Sequence, residues 1–251
     1  MTVSPSDFHI VIQTRIGSTR LPGKVLLPFF NEQTMLDIIL EELKQLNLPI
    51  TIATSEQEEN LILKETALKH DCSIFFGSEN DVLNRFISCS ESKYIIRICS
   101  DNPFIQVEYI KDLLLLQEKD PNQDYYSFKD NKGTPVIKTH FGFFTELVKR
   151  EALVKAENMT NNPLYKEHVT NYIYENNDVF KVKLKPLPLV LKNSSNIRLT
   201  VDDIQDFELA KKLYHKYIIN EKNFDQLIEY IVSNNEMQLL MKKNILKYSK
   251  A

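Results

Sequence analysis

At 251 residues, 43% hydrophobic and 26% charged, the chain has a globular composition and room for one large α/β domain or two small ones. Its 31 basic and 34 acidic residues leave a formal net charge of −3, which argues against a duplex-DNA binder with a pI above ~9, and no stretch approaches the ~20 apolar residues that span a bilayer. Met1–Asp7 lacks the basic segment and apolar core of a secretory leader, and Cys72, Cys89 and Cys99 show no CxxC spacing, so a disulfide scaffold and a structural zinc are both disfavoured and the chain reads as cytoplasmic.

Residues 8–13 (FHIVIQ) predict a buried first strand, followed by a polar, turn-rich stretch from Thr14 to Lys24. Residues 34–46 have helical spacing, 50–54 (ITIAT) predict a second strand, and Ser55 is placed to N-cap a helix ending near His70. A third strand at 73–76 precedes a helix over 79–90, with Ser78 as a candidate cap, and a fourth at 94–99 (YIIRIC) precedes a helix over 106–119. Four strand–helix alternations predict βαβ units and a mainly parallel sheet with helices on both faces. Beyond residue 120 the pattern predicts strands at 124–128, 179–184 and 197–201, with helices at 146–157, 163–176, 203–217, 223–234 and 236–248. With no repeat and no low-complexity linker, residues 1–251 read as one domain, with 130–195 as a lobe over the sheet.

The chain uses only five glycines, and two of them, Gly17 and Gly23, fall in the loop after the first strand. Glycines let backbone N–H groups turn inward around an anion, and Arg15, Arg20 and Lys24 add three cations, so a polyphosphate is a natural guest. The spacing is that of neither a Walker A loop nor GxGxxG. A surface loop whose cations are merely solvated is the plain alternative.

Asp101 and Asp202 each stand just past a predicted strand, at the sheet edge where open α/β folds bind ligands. Two such carboxylates suit Mg²⁺ on a triphosphate, an ion that takes one or two protein carboxylates. Asp202 has a second reading, as an N-cap with Gln205 reaching back in a capping box. Asp203 is the substitute for the second ligand, and Asp206 reads as a first-turn helix residue. Arg97, inside an apolar strand, needs an anionic partner, either a structural carboxylate or a substrate oxygen. Cys99 has no adjacent histidine and reads as a buried, inert thiol.

The string QTRIGSTRLPGK (13–24) resembles the signature of the sugar cytidylyltransferases, which include the CMP-Kdo and CMP-sialate synthetases, and is most similar to the branch named for spore-coat polysaccharide biosynthesis protein F. ATS (53–55), FGSENDVLNRF (76–86), RICSDNPFI (97–105), EHVT (167–170) and RLTVDDIQDFELA (198–210) follow in the order of that branch. The resemblance implies a GT-A-type nucleotidyltransferase fold, CTP as donor, Mg²⁺, a nucleotide-activated sugar as product, and a homodimer. By resemblance, Gln13, Arg15, Gly17, Ser18, Lys24, Thr54, Ser55, Ser78 and Arg97 bind nucleotide, with Arg15, Lys24 and Asp101 catalytic. Asp101 and Asp202 hold the metal, and Glu167 and His168 contact the sugar. The acceptor class it implies is an ulosonic or nonulosonic acid, activated for a surface glycan. The chain departs from the branch at Phe76, where an arginine is usual, and at Asp202–Asp206, where Asp-Thr-Pro-Glu-Asp is usual. A GT-A-like glycosyltransferase consuming a nucleotide-sugar is the competing class, opposed by the cationic loop and by the lack of an Asp-x-Asp motif after a mid-chain strand. A nucleotide-binding protein without catalysis is the third reading.

Overall fold

The structure, a computed structural model, describes residues 4–191, 194 and 196–248. Met1–Val3 of the amino-terminal segment and residues 192, 193 and 195 of the 130–195 stretch lie outside the described residues. The strands are β1 (Phe8–Gln13), β2 (Pro28–Phe30), β3 (Gln33–Thr34), β4 (Ile50–Ser55), β5 (Ser73–Gly77), β6 (Tyr94–Cys99), β7 (Tyr125–Lys129), β8 (Glu146–Lys149) and β9 (Val182–Pro186). The helices are α1 (Met35–Lys44), α2 (Leu63–Lys69), α3 (Val82–Ser88), α4 (Val107–Lys119), α5 (Arg150–Met159), α6 (Pro163–Glu167), α7 (Asn171–Glu175), α8 (Ile204–Ile219), α9 (Phe224–Ser233) and α10 (Asn235–Tyr248).

Seven strands form one sheet in the order β5-β4-β1-β6-β8-β7-β9. The first four are parallel, β8 runs antiparallel to β6 and β7, and β9 is parallel to β7. Alternate residues of each strand face opposite layers. Ile10 and Ile12 of β1 pack with Leu36, Ile39, Ile110, Phe207 and Leu227 of α1, α4, α8 and α9. Val11 packs on the other face with Leu83, Phe86, Leu153 and Ile173 of α3, α5 and α7. The expected mainly parallel, mixed sheet with helices on both faces is therefore present.

Several elements differ from expectation. The helix expected at 146–157 begins only at Arg150, because Glu146–Lys149 is a strand inserted between β6 and β7. A strand covered on both faces buries consecutive residues, and Leu147 and Val148 are both fully buried, so helical and strand periodicity could not be told apart there. The helix expected at 163–176 is broken at Val169, whose φ is +39°, an unusual value for a β-branched residue. The break turns Thr170 inward, where its hydroxyl donates to Glu146. Residues 197–201 form no strand: Leu199 N–H donates to the His140 carbonyl and Val201 N–H to the Asp101 carbonyl. Ile197, Leu199 and Val201 are nonetheless buried, so their alternation reflects packing on the core rather than a ladder. Gly142, at φ +71°, permits this crossing, since a Cβ there would lie 2.4 Å from the Thr200 nitrogen. The region 55–70 carries a 3₁₀ turn (Glu58–Ile62) before α2, and Ser55 is the last residue of β4 rather than a cap. The small β2–β3 hairpin, too short for a periodicity signal, was not expected.

Candidate active site

A cleft of about 430 Å³ opens at the carboxyl ends of β1 and β6. Gly23, at φ +67°, turns the chain so that Lys24 enters the interior, where it is 9% exposed. The Lys24 Nζ donates to the Val201 carbonyl at 2.5 Å and lies 3.4 Å from Asp101 Oδ2. One cation thus joins the turn after β6 to the segment carrying Asp202. Several loop amides serve the loop itself: Ile16 N–H donates to Asn60 Oδ1, while Ser18 and Gly23 N–H donate to the Ile16 carbonyl. Gln13, Arg15, Ser18 and Arg20 line the cleft beside Lys24. Gly17 does not line it; a Cβ there would meet the end of the Glu59 side chain.

Asp101 and Asp202 both line the cleft, as expected. Asp202 carries two guanidinium groups, Arg20 on Oδ1 at 2.6 Å and Arg198 on Oδ2 at 2.7 Å. Its expected capping box is absent: Asp203 is the N-cap of α8, accepting from the Gln205 and Asp206 amides. Asp203 also accepts from the Tyr248 hydroxyl at 2.5 Å and pairs with Lys247. Burial works against this carboxylate, but Tyr248, the Asp206 amide and Lys247 bring its pKa down to about 2. Asp206 does more than sit in a first turn; it forms a two-point contact with Arg198 and accepts from the Asp202 amide and Asn244. Arg198 is 3% exposed. Burial would lower its pKa, yet Asp206 and Asp202 hold it above the usual arginine value.

Arg97 lines both this cleft and a second cavity of about 1020 Å³. Its expected anionic partner is Glu146, which is 1% exposed and accepts from Arg97 Nη1 at 2.5 Å. Tyr125 and Thr170 hydroxyls donate to the other Glu146 oxygen, and Arg97 Nη2 donates to Gln13. Glu167 borders the first cleft, and His168 lines the second cavity. The nearby cations Lys166 and Lys183 pair with Asp81 and Asp120. Burial raises the Cys99 thiol to about 11, consistent with an inert residue.

Besides Gly17, three residues expected near the nucleotide do not line the cleft. Thr54 is fully buried, and its hydroxyl has no partner among the described residues. The Ser55 hydroxyl accepts from Asn60, the same side chain that holds the Ile16 amide, so it acts by fixing the loop. Ser78 is not the cap of α3; Asp81 is, and the Ser78 hydroxyl accepts from the Asp81 amide. Phe76 lies under Lys64, with the nitrogen 5.4 Å from the ring centre, outside the cleft.

The cytidylyltransferase family matches residues 9–242. This chain belongs to that family. It is 33% identical to spore coat polysaccharide biosynthesis protein SpsF of Bacillus subtilis over 221 residues, covering 84% of this chain and 88% of that one. An uncharacterized protein of Methanocaldococcus jannaschii is 35% identical over 233 residues, covering 91% of each. A cytidylyltransferase structure from Leptospira borgpetersenii superposes with a TM-score of 0.81 at 28% identity, covering 92% of this chain and 96% of that one. The structure of CMP:2-keto-3-deoxy-manno-octonic acid synthetase complexed with CTP has a TM-score of 0.61 at 16% identity, covering 83% and 98%, which shows a shared nucleotidyltransferase fold.

Within this cytidylyltransferase, Asp101 and Asp202 offer the hard oxygen donors that Mg²⁺ takes in ones and twos. The Val201–Asp101 backbone bond sets their segments side by side. Arg20, whose side chain is 46% exposed, has room to exchange Asp202 for a phosphate. Among the described residues no three His, Cys, Asp or Glu gather as a metal centre. Two carboxylates match the one or two that Mg²⁺ takes from protein when phosphate oxygens and water complete its octahedron. Residues that sequence reasoning passed over include Glu146, Tyr248 and Arg85. Only Arg85 left a signal, as an arginine among Val82, Leu83, Phe86 and Ile87 on the buried side of a short helix.

Proposed function

We propose that the chain transfers a cytidylyl group from CTP to a sugar acceptor, an ulosonic or nonulosonic acid, releasing pyrophosphate and giving a CMP-sugar for surface glycan synthesis. The observation that carries this reading is the convergence of Arg15, Arg20, Lys24, Asp101 and Asp202 on one cleft, joined through Arg97 to a second, larger cavity. The acceptor hydroxyl oxygen would bond to the α-phosphorus while the bond from that phosphorus to the α,β-bridging oxygen breaks. The hydroxyl proton passes to solvent, and pyrophosphate departs toward the loop cations.

Each protein group has a positional or electrostatic task, which is what phosphoryl-type transfer requires. Lys24, already anchored on Val201, and Arg15 would hold the β- and γ-phosphates. Arg97 would stand between donor and acceptor, kept oriented by Glu146 and Gln13. Glu167 and His168 would contact the sugar from the α6 side. Mg²⁺, held by Asp101 and Asp202, would supply charge neutralisation on the triphosphate.

The test is pyrophosphate release from CTP across a panel of ulosonic and nonulosonic acids, with and without Mg²⁺, for the parent and Asp101→Asn. Release with at least one acid, Mg²⁺ dependence and a loss of at least 100-fold in Asp101→Asn are expected, on the scale of about 3 kcal/mol for one electrostatic group. Near-parental turnover of Asp101→Asn would refute the assignment. Nucleotide release from a CMP- or UDP-sugar, with no pyrophosphate from CTP, would favour a glycosyltransferase.

A further inference from the structure

Arg85 is a buried cation without a counterion. It is 4% exposed, its Nε has no hydrogen-bond partner, and among the described residues its guanidinium forms no ion pair. The other deeply buried charges are compensated: Arg97 by Glu146, Arg198 by Asp202 and Asp206, and Asp37 by Lys69 and His70. An unpaired buried charge is costly, and Arg85 lines the cleft next to Glu79, Asn80 and Val82. Burial, and then the Arg15 guanidinium, lower its pKa, and the weaker opposing pull of Glu79, which forms no ion pair with it, does not offset them.

The chain also makes room for this side chain. Gly77 ends β5 without a left-handed φ, yet a Cβ there would lie 2.9 Å from the Phe75 ring and 3.2 Å from Arg85 Cγ. One of only five glycines thus stands where the Arg85 stem crosses the strand end.

Position selects the ligand atoms. Arg85 follows β5, and Asp101 follows β6, three strands away in the order β5-β4-β1-β6. At ~4.8 Å per strand this is about 14 Å, the reach of an extended nucleoside triphosphate. With Lys24, Asp101 and Asp202 marking the phosphate end, the far end is the base. We infer that Arg85 is the nucleobase-recognition residue, donating to O2 and N3 of cytosine; this rests on the proposed function. A guanidinium presents paired N–H donors, and cytosine offers two adjacent acceptors. Uracil carries a hydrogen on N3 and would set donor against donor.

Calorimetric titration of CTP, CMP and UTP into the parent, Arg85→Lys and Arg85→Gln tests this. The parent is expected to prefer CTP to UTP. Arg85→Gln should lose about 10- to 100-fold in affinity for CTP and CMP alike, with UTP little changed, so the cytosine preference collapses; Arg85→Lys should fall between. The C-to-U ratio is measured within each protein, so Arg85→Lys carries the test if Arg85→Gln does not fold. An unchanged ratio in a folded variant overturns the Arg85 assignment alone. A loss for CTP but not CMP makes Arg85 a phosphate ligand and also overturns it. A parent that binds no cytidine nucleotide overturns the functional reading together with it.

Discussion

Replacing Glu146 by Gln should destabilise the protein while leaving its shape intact. Glu146 is almost completely buried and serves three donors: Arg97 Nη1 at 2.5 Å, the Tyr125 hydroxyl at 2.5 Å and the Thr170 hydroxyl at 2.7 Å. The amide oxygen can still accept from Arg97, and the hydroxyls can turn to accept from the new NH₂. What disappears is the negative charge, leaving a buried guanidinium held by neutral acceptors alone, the new amide and Gln13. Breaking a buried pair costs about 3–5 kcal/mol, and the surviving hydrogen bonds place Glu146→Gln near the lower figure. For a chain of this size, about 3 kcal/mol corresponds to a fall in Tm of roughly 6–12 °C, against a total stability of ~5–15 kcal/mol. Urea unfolding followed by circular dichroism, with matching m-values, reads the change directly. A double replacement, Arg97→Met with Glu146→Gln, should recover most of the loss, because no unpaired charge is left and the Tyr125 and Thr170 hydroxyls keep a partner. A loss below ~1 kcal/mol in Glu146→Gln, or a double variant worse than the sum of its parts, would refute the reasoning.

Two further outcomes concern pH. Asp203 is held down to about 2 by Tyr248, the Asp206 amide and Lys247 against burial, so its contribution is present above ~4 and fades as pH falls toward 2; Tyr248→Phe should therefore narrow the difference in Tm between pH 7 and pH 3, and an undiminished difference counts against the clamp. His9 is half-buried between Thr51 and Ser90 hydroxyls, and burial lowers its pKa. Below ~6.5 the unfolded chain takes up a proton that the folded chain resists, so stability falls with pH there; His9→Asn should flatten the slope of Tm between pH 7 and pH 5, and an identical slope would remove His9 as its cause.

The carboxyl end of the chain secures the site from outside the sheet. Tyr248 lies beneath Arg20 and Arg198, 4.6 and 4.9 Å from their guanidinium carbons, while its hydroxyl reaches Asp203. Asn244 and Met241 of the same helix contact Asp206 and the Arg198 amide. A helix that carries no proposed catalytic group thereby fixes the two arginines that flank Asp202.

By itself the sequence determined the alternation of strands and helices through residue 119, the phosphate-type loop after β1 and the two strand-end aspartates. These are local properties: side-chain period follows backbone period, and a glycine-bearing loop between a strand and an apolar segment needs no distant partner to be recognised. Only the tertiary structure decided which acid caps α8, because Asp202 and Asp203 are neighbours of equal chemistry and Arg20 and Arg198 claim one while Tyr248 claims the other. It also decided that Glu146 belongs to a strand, since its partner Arg97 lies 49 residues away and helical spacing reads equally well there. Ser55 and Ser78 have the chemistry of helix caps, yet the structure employs them inside loops, where Asn60 and the Asp81 amide reach them first. Arg85 was visible as a charge on an apolar helix face, but its lack of a counterion emerged only once the surrounding carboxylates had been placed, because pairing of buried charge is a property of the packed chain and not of the sequence around it.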